Sequence, residues 1–194
     1  MPLEALITPL RPGMYYHVYN RGNNREKLFY YQGDYGFFLK KYYQYLGNYI
    51  LTYGYCLVPN HFHFLIQIKE DIEDGSGIVS NQFRKLFISH AKRVNVREGR
   101  TGSLLTKNFR RIEIKDERYF KNLLMYIHFN PIRHGINTNF IDYQFSSFKL
   151  ILTGQLPGIS CDQIYHWYGS KDEYLEKHLL SLDDPRILHL IKEI

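Results

Sequence analysis

His61 and His63 stand one residue apart in the run Val58-Pro-Asn-His-Phe-His-Phe-Leu65. Residues two apart on a strand point to the same face, so both imidazoles can converge on one divalent cation while Phe62 and Phe64 pack on the opposite face. A second segment, Tyr126-Ile-His-Phe-Asn-Pro-Ile-Arg-His-Gly135, offers groups for such a cation to act beside. Residues i and i+4 of a helix share a face, which brings a phenolic oxygen from Tyr126 and an amide oxygen from Asn130 to one place. Two imidazoles plus one amide oxygen leave positions open for phosphate oxygens and water. That open, mixed N/O site suits Mg²⁺ or Mn²⁺ on a phosphodiester better than a closed structural zinc.

Each of these residues also has a plainer reading. Any strand can carry two same-face histidines for structural reasons, and with eighteen tyrosines in the chain an anonymous Tyr is ordinarily core. Asn130 precedes Pro131, which cannot donate the helical hydrogen bond and disfavours α geometry before it, so Asn130 either ends a helix or serves as a ligand. His128 lies on a different helical face from Tyr126 and is the weaker metal candidate.

The elements that must position these groups can be read from periodicity. Tyr15 to Asn20 alternates as a first strand, and Arg21-Gly-Asn-Asn-Arg25 marks a turn. Asp34 can cap a helix that carries Phe37, Phe38, Tyr42, Tyr45 and Leu46 at helical spacing and stops near Gly47-Asn48. Strands are expected over 52–58 and 61–68 around a tight Pro59-Asn60 connection, followed by an acidic loop over 71–77. Ser80 can cap a helix running to about Val96, with Phe83, Leu86, Phe87, Ala91 and Val94 on its buried stripe. A fourth strand is expected over 109–115, then a helix capped by Asp116 that contains Phe120, Leu123, Leu124 and Ile127. The order β-α-β-β-α-β-α predicts an α+β fold, a ferredoxin-like four-stranded antiparallel sheet with helices on one face. Gly154 to Gly158 reads as a linker, dividing a domain over 1–153 from an appendage of two or three short helices over 154–194, in which Trp167, Tyr168 and Tyr174 serve packing.

The 194 residues are 44% hydrophobic, enough for one full core, and hold no run able to cross a membrane. Cys56 and Cys161 are too few and too far apart for a disulfide framework or a Cys-based zinc site, and the N-terminus lacks a signal pattern, so a cytoplasmic protein is expected. The formal charge of +6 is unevenly spread: thirteen Lys/Arg stand against four Asp/Glu between Arg84 and Arg133, a local +9, and the remainder nets −3. Interleaved with Phe83, Phe87, Phe109, Tyr119 and Phe120, this segment fits nucleic acid, whose phosphates it would neutralise and whose unpaired bases exposed aromatics would stack. A solvated basic face is the alternative.

Five ordered motifs resemble one family: His17-Val-Tyr-Asn-Arg-Gly-Asn-Asn-Arg25, Val58 to Leu65, Gly102 to Arg111, Tyr126 to Gly135, and Tyr143-Gln-Phe-Ser-Ser-Phe148. The family is the HUH (His-hydrophobic-His) single-tyrosine transposases, and within it the REP-associated tyrosine transposases; the resemblance covers roughly residues 15–153. It implies a metal-dependent nuclease that cuts single-stranded DNA beside imperfect hairpins, with His61 and His63 as metal pair, Asn130 as third polar ligand and Tyr126 as nucleophile. The product would be a 5′-phosphotyrosine and a free 3′-hydroxyl. Asn20, Arg21, Lys107, Arg110, Arg111 and Arg133 are the groups expected near DNA, with a turn role for the first two and a solvated role for any of the others as alternatives. A silent nucleic-acid-binding protein of the same fold, or a hydrolase using water, would share these features. Leu105-Thr106-Lys107 and Gln144-Phe145 depart from the family pattern, which puts any inherited DNA preference in doubt. The appendage could cover the surface a dimer would use, so a monomer is expected, although related insertion-sequence enzymes exchange the tyrosine helix between two subunits.

Overall fold

The computed structural model describes residues 8–73, 75–159 and 161–182. The expected helical character of 183–194, and the start of the first domain over 1–7, lie outside the described residues. Along the chain run β1 (Tyr15–Arg21), α1 (Gln32–Leu46), β2 (Ile50–Val58), β3 (His61–Ile68), α2 (Ser80–Glu98), β4 (Arg110–Ile114) and α3 (Glu117–Arg133), then the short α4 (Phe148–Leu152), α5 (Cys161–Tyr168) and α6 (Lys171–Leu180). The sheet is antiparallel with strand order β2-β3-β1-β4, the α+β arrangement expected from the element order.

Alternation along the central strands decides what each face holds. Val18 pairs with Phe64 and Asn20 with Phe62, and this apolar side packs α1 and α2: Tyr42 stacks on Phe64 at 4.1 Å and Phe83 joins the same cluster. His17, Tyr19, His61 and His63 point to the other side. The expectation of helices on one face holds for α1 and α2 only, because α3 covers the histidine face. Gly54 on β2 allows that approach: a Cβ there would lie 2.3 Å from Leu124 Cδ1.

Several boundaries differ from expectation for local reasons. Asp34 sits in the first turn of α1 and not at its cap, its carboxylate reaching back to the N–H groups of Tyr30 and Tyr31 while Arg97 of α2 pairs with it. Burial pushes the Asp34 carboxyl up, but the Arg97 hydrogen bond and the two backbone donors together hold it down at about 2. Ser80 caps nothing, since a π-helical turn over Gly75–Val79 runs directly into α2. Asp116 does cap α3, accepting from Tyr119 N–H at 2.7 Å.

Both ends of the sheet near the histidines are flanked by extra chain. Leu105 bridges to Gly22, and Thr106 N–H donates to Arg21 O beside β1. The Tyr143–Phe148 motif runs beside β2, where Leu57 N–H donates to Phe145 O, Ser147 N–H donates to Tyr55 O, and the Tyr143 hydroxyl donates to Leu57 O. Trp167, Tyr168 and Tyr174 do pack: Trp167 meets Phe120 at 3.7 Å, and the other two belong to the same continuous core as the sheet.

Candidate active site

Direct pairing of Tyr19 with His63 and of Arg21 with His61 sets four side chains on the α3 face at one end of the sheet. From the opposite side α3 brings Tyr126, whose ring centroid lies 5.4 Å from that of His63. The His61 and His63 rings stand 5.1 Å apart and nearly perpendicular.

Asn130 reaches this cluster because of Pro131. A proline at that position leaves the carbonyl of Ile127 without its helical donor, and the Asn130 amide nitrogen donates to both Tyr126 O at 2.9 Å and Ile127 O at 3.4 Å. The amide oxygen is thereby turned outward, 3.2 Å from His61 Nε2. Helix repair and orientation toward the histidines are one act. The other His61 nitrogen, Nδ1, lies 2.7 Å from Asn60 Oδ1.

His63 is 1% exposed. Its Nδ1 lies 2.9 Å from His17 Nε2, while its Nε2 is buried with no hydrogen-bond partner among the described residues. Burial lowers the pKa of His61 to about 4 and, joined by the neighbouring histidines, that of His63 well below its ordinary value. Both rings are therefore neutral at pH 7, the state in which imidazole coordinates a metal. An unpartnered buried nitrogen of His63, a second imidazole nitrogen on His61 and the amide oxygen of Asn130 are groups whose lone pairs could hold a divalent cation. Among the described residues no group of three or more His, Cys, Asp and Glu side chains is arranged to hold a metal ion, so a cation held here would need the Asn130 amide beside the two histidines.

Tyr126 is only 2% exposed. Burial raises its phenol pKa, opposed by the Arg133 charge and by a hydrogen bond with the Asn130 side chain. The Arg133 guanidinium lies 5.5 Å over the Tyr126 ring. His134 at the helix end packs against His61 at 4.5 Å.

The expected DNA-facing residues separate into groups. Arg21 is exposed at the His61 end of β1, and Arg110, paired with Tyr19, lies on the histidine face. Arg111 points to the other side, where it donates to Thr8 O and rests over Phe109 at 5.0 Å. Lys107 is exposed on the rim of a groove of about 820 Å³ between α2 and the 103–109 segment, also lined by Arg84, Phe87, Ile88 and Lys92. Asn20 is 3% exposed and bonds Thr106, tethering that segment to β1. Most of the aromatics in the basic segment are not exposed stacking surfaces: Phe83, Phe109 and Phe120 are buried in the core. His128 is turned away from the site, toward His178 and Ser147. Sequence reasoning passed over His17 and His134, whose only signal was membership of the first and fourth motifs.

Comparison with known proteins leads to one group. Over 103 residues, half of this chain, the sequence is 29% identical to a Haemophilus influenzae protein provisionally named a REP-associated tyrosine transposase, of which the chain spans 58%. A solved REP-associated tyrosine transposase bound to a REP hairpin superposes with a TM-score of 0.60 over 77% of this chain and 86% of that one; at 19% identity this likeness shows the fold. No family profile matches the chain. The family that the five motifs resemble is thus also the one named for this relative and for the structure that shares the fold.

Proposed function

We propose that this protein is a transposase-type enzyme that binds hairpin-bearing DNA and cuts its single-stranded flank through a 5′-phosphotyrosine on Tyr126. The observation that supports this most is the gathering of the His61 and His63 rings, 5.1 Å apart, with Asn130 Oδ1 3.2 Å from His61 Nε2, beside the Tyr126 ring. In this reading His61, His63 and Asn130 hold Mg²⁺ or Mn²⁺, which when bound polarises the scissile phosphate as a Lewis acid.

Tyr126 Oη gives its proton to solvent water and attacks phosphorus, the P–O3′ bond breaks, and the departing 3′-oxygen takes a proton from water to become a hydroxyl. The phosphotyrosine retains an ester bond, so a second 3′-hydroxyl can attack it and rejoin strands without a nucleotide cofactor. Arg133 over the tyrosine ring favours the phenolate electrostatically. Arg21 and Arg110 near the histidines, with Lys107 on the groove rim, would neutralise phosphates on the approach; Asn20 and Arg111 would act by holding that region in shape. In this reading the protein acts as a monomer, the appendage covering the surface a dimer would use.

A second reading, a silent binder of the same DNA, draws on the burial of Tyr126 and its raised pKa. One assay separates them: incubation with hairpin-bearing single-stranded DNA and Mg²⁺ or Mn²⁺, followed by denaturing electrophoresis. The expected result is a covalent protein–DNA species that is absent in Tyr126→Phe, while DNA affinity persists. DNA binding by the wild type with neither cutting nor adduct would establish the silent binder, and cutting without an adduct would point to hydrolysis by water.

A further inference from the structure

We propose that His17 is a positioning residue for the metal site, accepting a hydrogen bond from His63 Nδ1–H and so presenting the bare Nε2 of His63 to the cation. This rests on the metal-dependent reading above, but concerns a residue to which that reading gives no role.

His17 Nε2 and His63 Nδ1 are 2.9 Å apart, and each residue is 1% exposed, so water cannot substitute for either partner. A neutral imidazole has one N–H and one lone pair. Two facing ring nitrogens that are both neutral must therefore share a single proton, and there are two ways to assign it. If His17 donates, His63 carries its own N–H on Nε2, leaving a buried donor without a partner and no lone pair for a metal. Orphaned buried N–H groups are rare. If His63 donates, its Nε2 is a bare acceptor pointing into the site.

Only the second assignment is compatible with coordination, and it gives the arrangement that ligating histidines almost always adopt, with the other ring N–H donated to a fixed acceptor. Strand register produces the contact. His17 pairs directly with Leu65 and Tyr19 with His63, so His17 meets His63 diagonally on the same face. Tyr19 stacks along His63 at 5.6 Å and Tyr126 meets it edge-on, which leaves the ring little rotational freedom.

Two measurements test the assignment. In the metal-free wild type, ¹⁵N-histidine correlation spectra should show His63 protonated at Nδ1 and bare at Nε2; protonation at Nε2 would overturn the proposal. In Mn²⁺ titrations followed by electron paramagnetic resonance, His17→Phe, which keeps a ring but no acceptor, should weaken binding about 10–100-fold. His17→Gln, which restores an acceptor oxygen, should recover part of that loss. Wild-type affinity in a folded His17→Phe protein would overturn it as well, and if that variant does not fold, the spectra of the wild type decide. His63→Ala distinguishes the two levels: unchanged Mn²⁺ affinity there would reject the metal-site reading itself, whatever the tautomer of His63.

Discussion

Pro131 determines what Asn130 can do. Both hydrogens of the Asn130 amide face backbone carbonyls in the last turns of α3, and the oxygen is left for His61. Asn130→Asp keeps an oxygen toward His61 but replaces the donor with a second acceptor against the carbonyls of Tyr126 and Ile127. We expect it to destabilise the fold by about 1–3 kcal/mol while strengthening Mn²⁺ binding through the added charge. Thermal melts and Mn²⁺ titration on the same preparation check both effects; unchanged stability would mean that the amide nitrogen is not repairing the helix. At this scale the sequence was informative. The pairing of His61 with His63 and of Tyr126 with Asn130 follows from local periods of two and of about four, whereas the contact of His17 with His63 depends on a strand register that no local pattern contains. The side-by-side arginines Arg110 and Arg111 look alike in sequence, yet alternation on β4 sends them to opposite faces.

Among the elements, α3 is the one whose placement matters most, and three separate features hold it. Gly54 lets Leu124 seat on β2, Trp167 of α5 packs on Phe120, and a buried hydrogen-bond chain ties His128 to the appendage. The directions in that chain can be assigned from its ends. A carbonyl only accepts, so His178 Nδ1–H donates to Tyr174 O at 2.7 Å. Its bare Nε2 must then accept from His128 Nδ1–H, and His128 Nε2 accepts from the Ser147 hydroxyl. Ser147 Oγ in turn receives Tyr55 N–H at 2.8 Å, joining α6, α3, the 143–148 motif and β2. The motif was legible as a motif, but its purpose was not, because its partners on β2 and α3 lie far from it in sequence, where no local pattern points. Gly54→Ala tests the seating of α3. The added methyl clashes with Leu124, so we expect a loss of about 1–3 kcal/mol together with a lower rate of adduct formation, since Tyr126 rides on the same helix. Loss of stability with the rate of adduct formation unchanged would show that Tyr126 is positioned independently of Leu124.

For the molecule as a whole, the buried histidines make acid stability the most revealing property. Three lie away from the candidate site. Burial, the leading cause in each, lowers His90 to about 4 against the hydrogen bond to Leu28 O, lowers His178 to about 3, and lowers His128 well below the ordinary imidazole value with His178 adding to the effect. In the unfolded chain all three bind protons as the pH falls through about 6.5, while the folded protein does not, so the unfolded state gains protons first and stability falls with pH. Each group contributes about 1.4 kcal/mol per pH unit in that window, and the loss continues until the folded values near 3–4 are reached. Asp34, held at about 2, acts in the same direction at lower pH. Against a typical domain stability of ~5–15 kcal/mol, three such groups suffice to move acid unfolding above the carboxylate range. Metal-free protein melted across pH 4–8 should therefore hold a nearly constant Tm above about pH 7 and lose it steeply below about 6. His178→Gln can still donate to Tyr174 O and accept from His128 but cannot titrate, so it should flatten that slope by about one proton's worth. A Tm independent of pH down to about 4 would mean that these histidines are protonated in the fold, and the assigned hydrogen-bond chain would have to be abandoned.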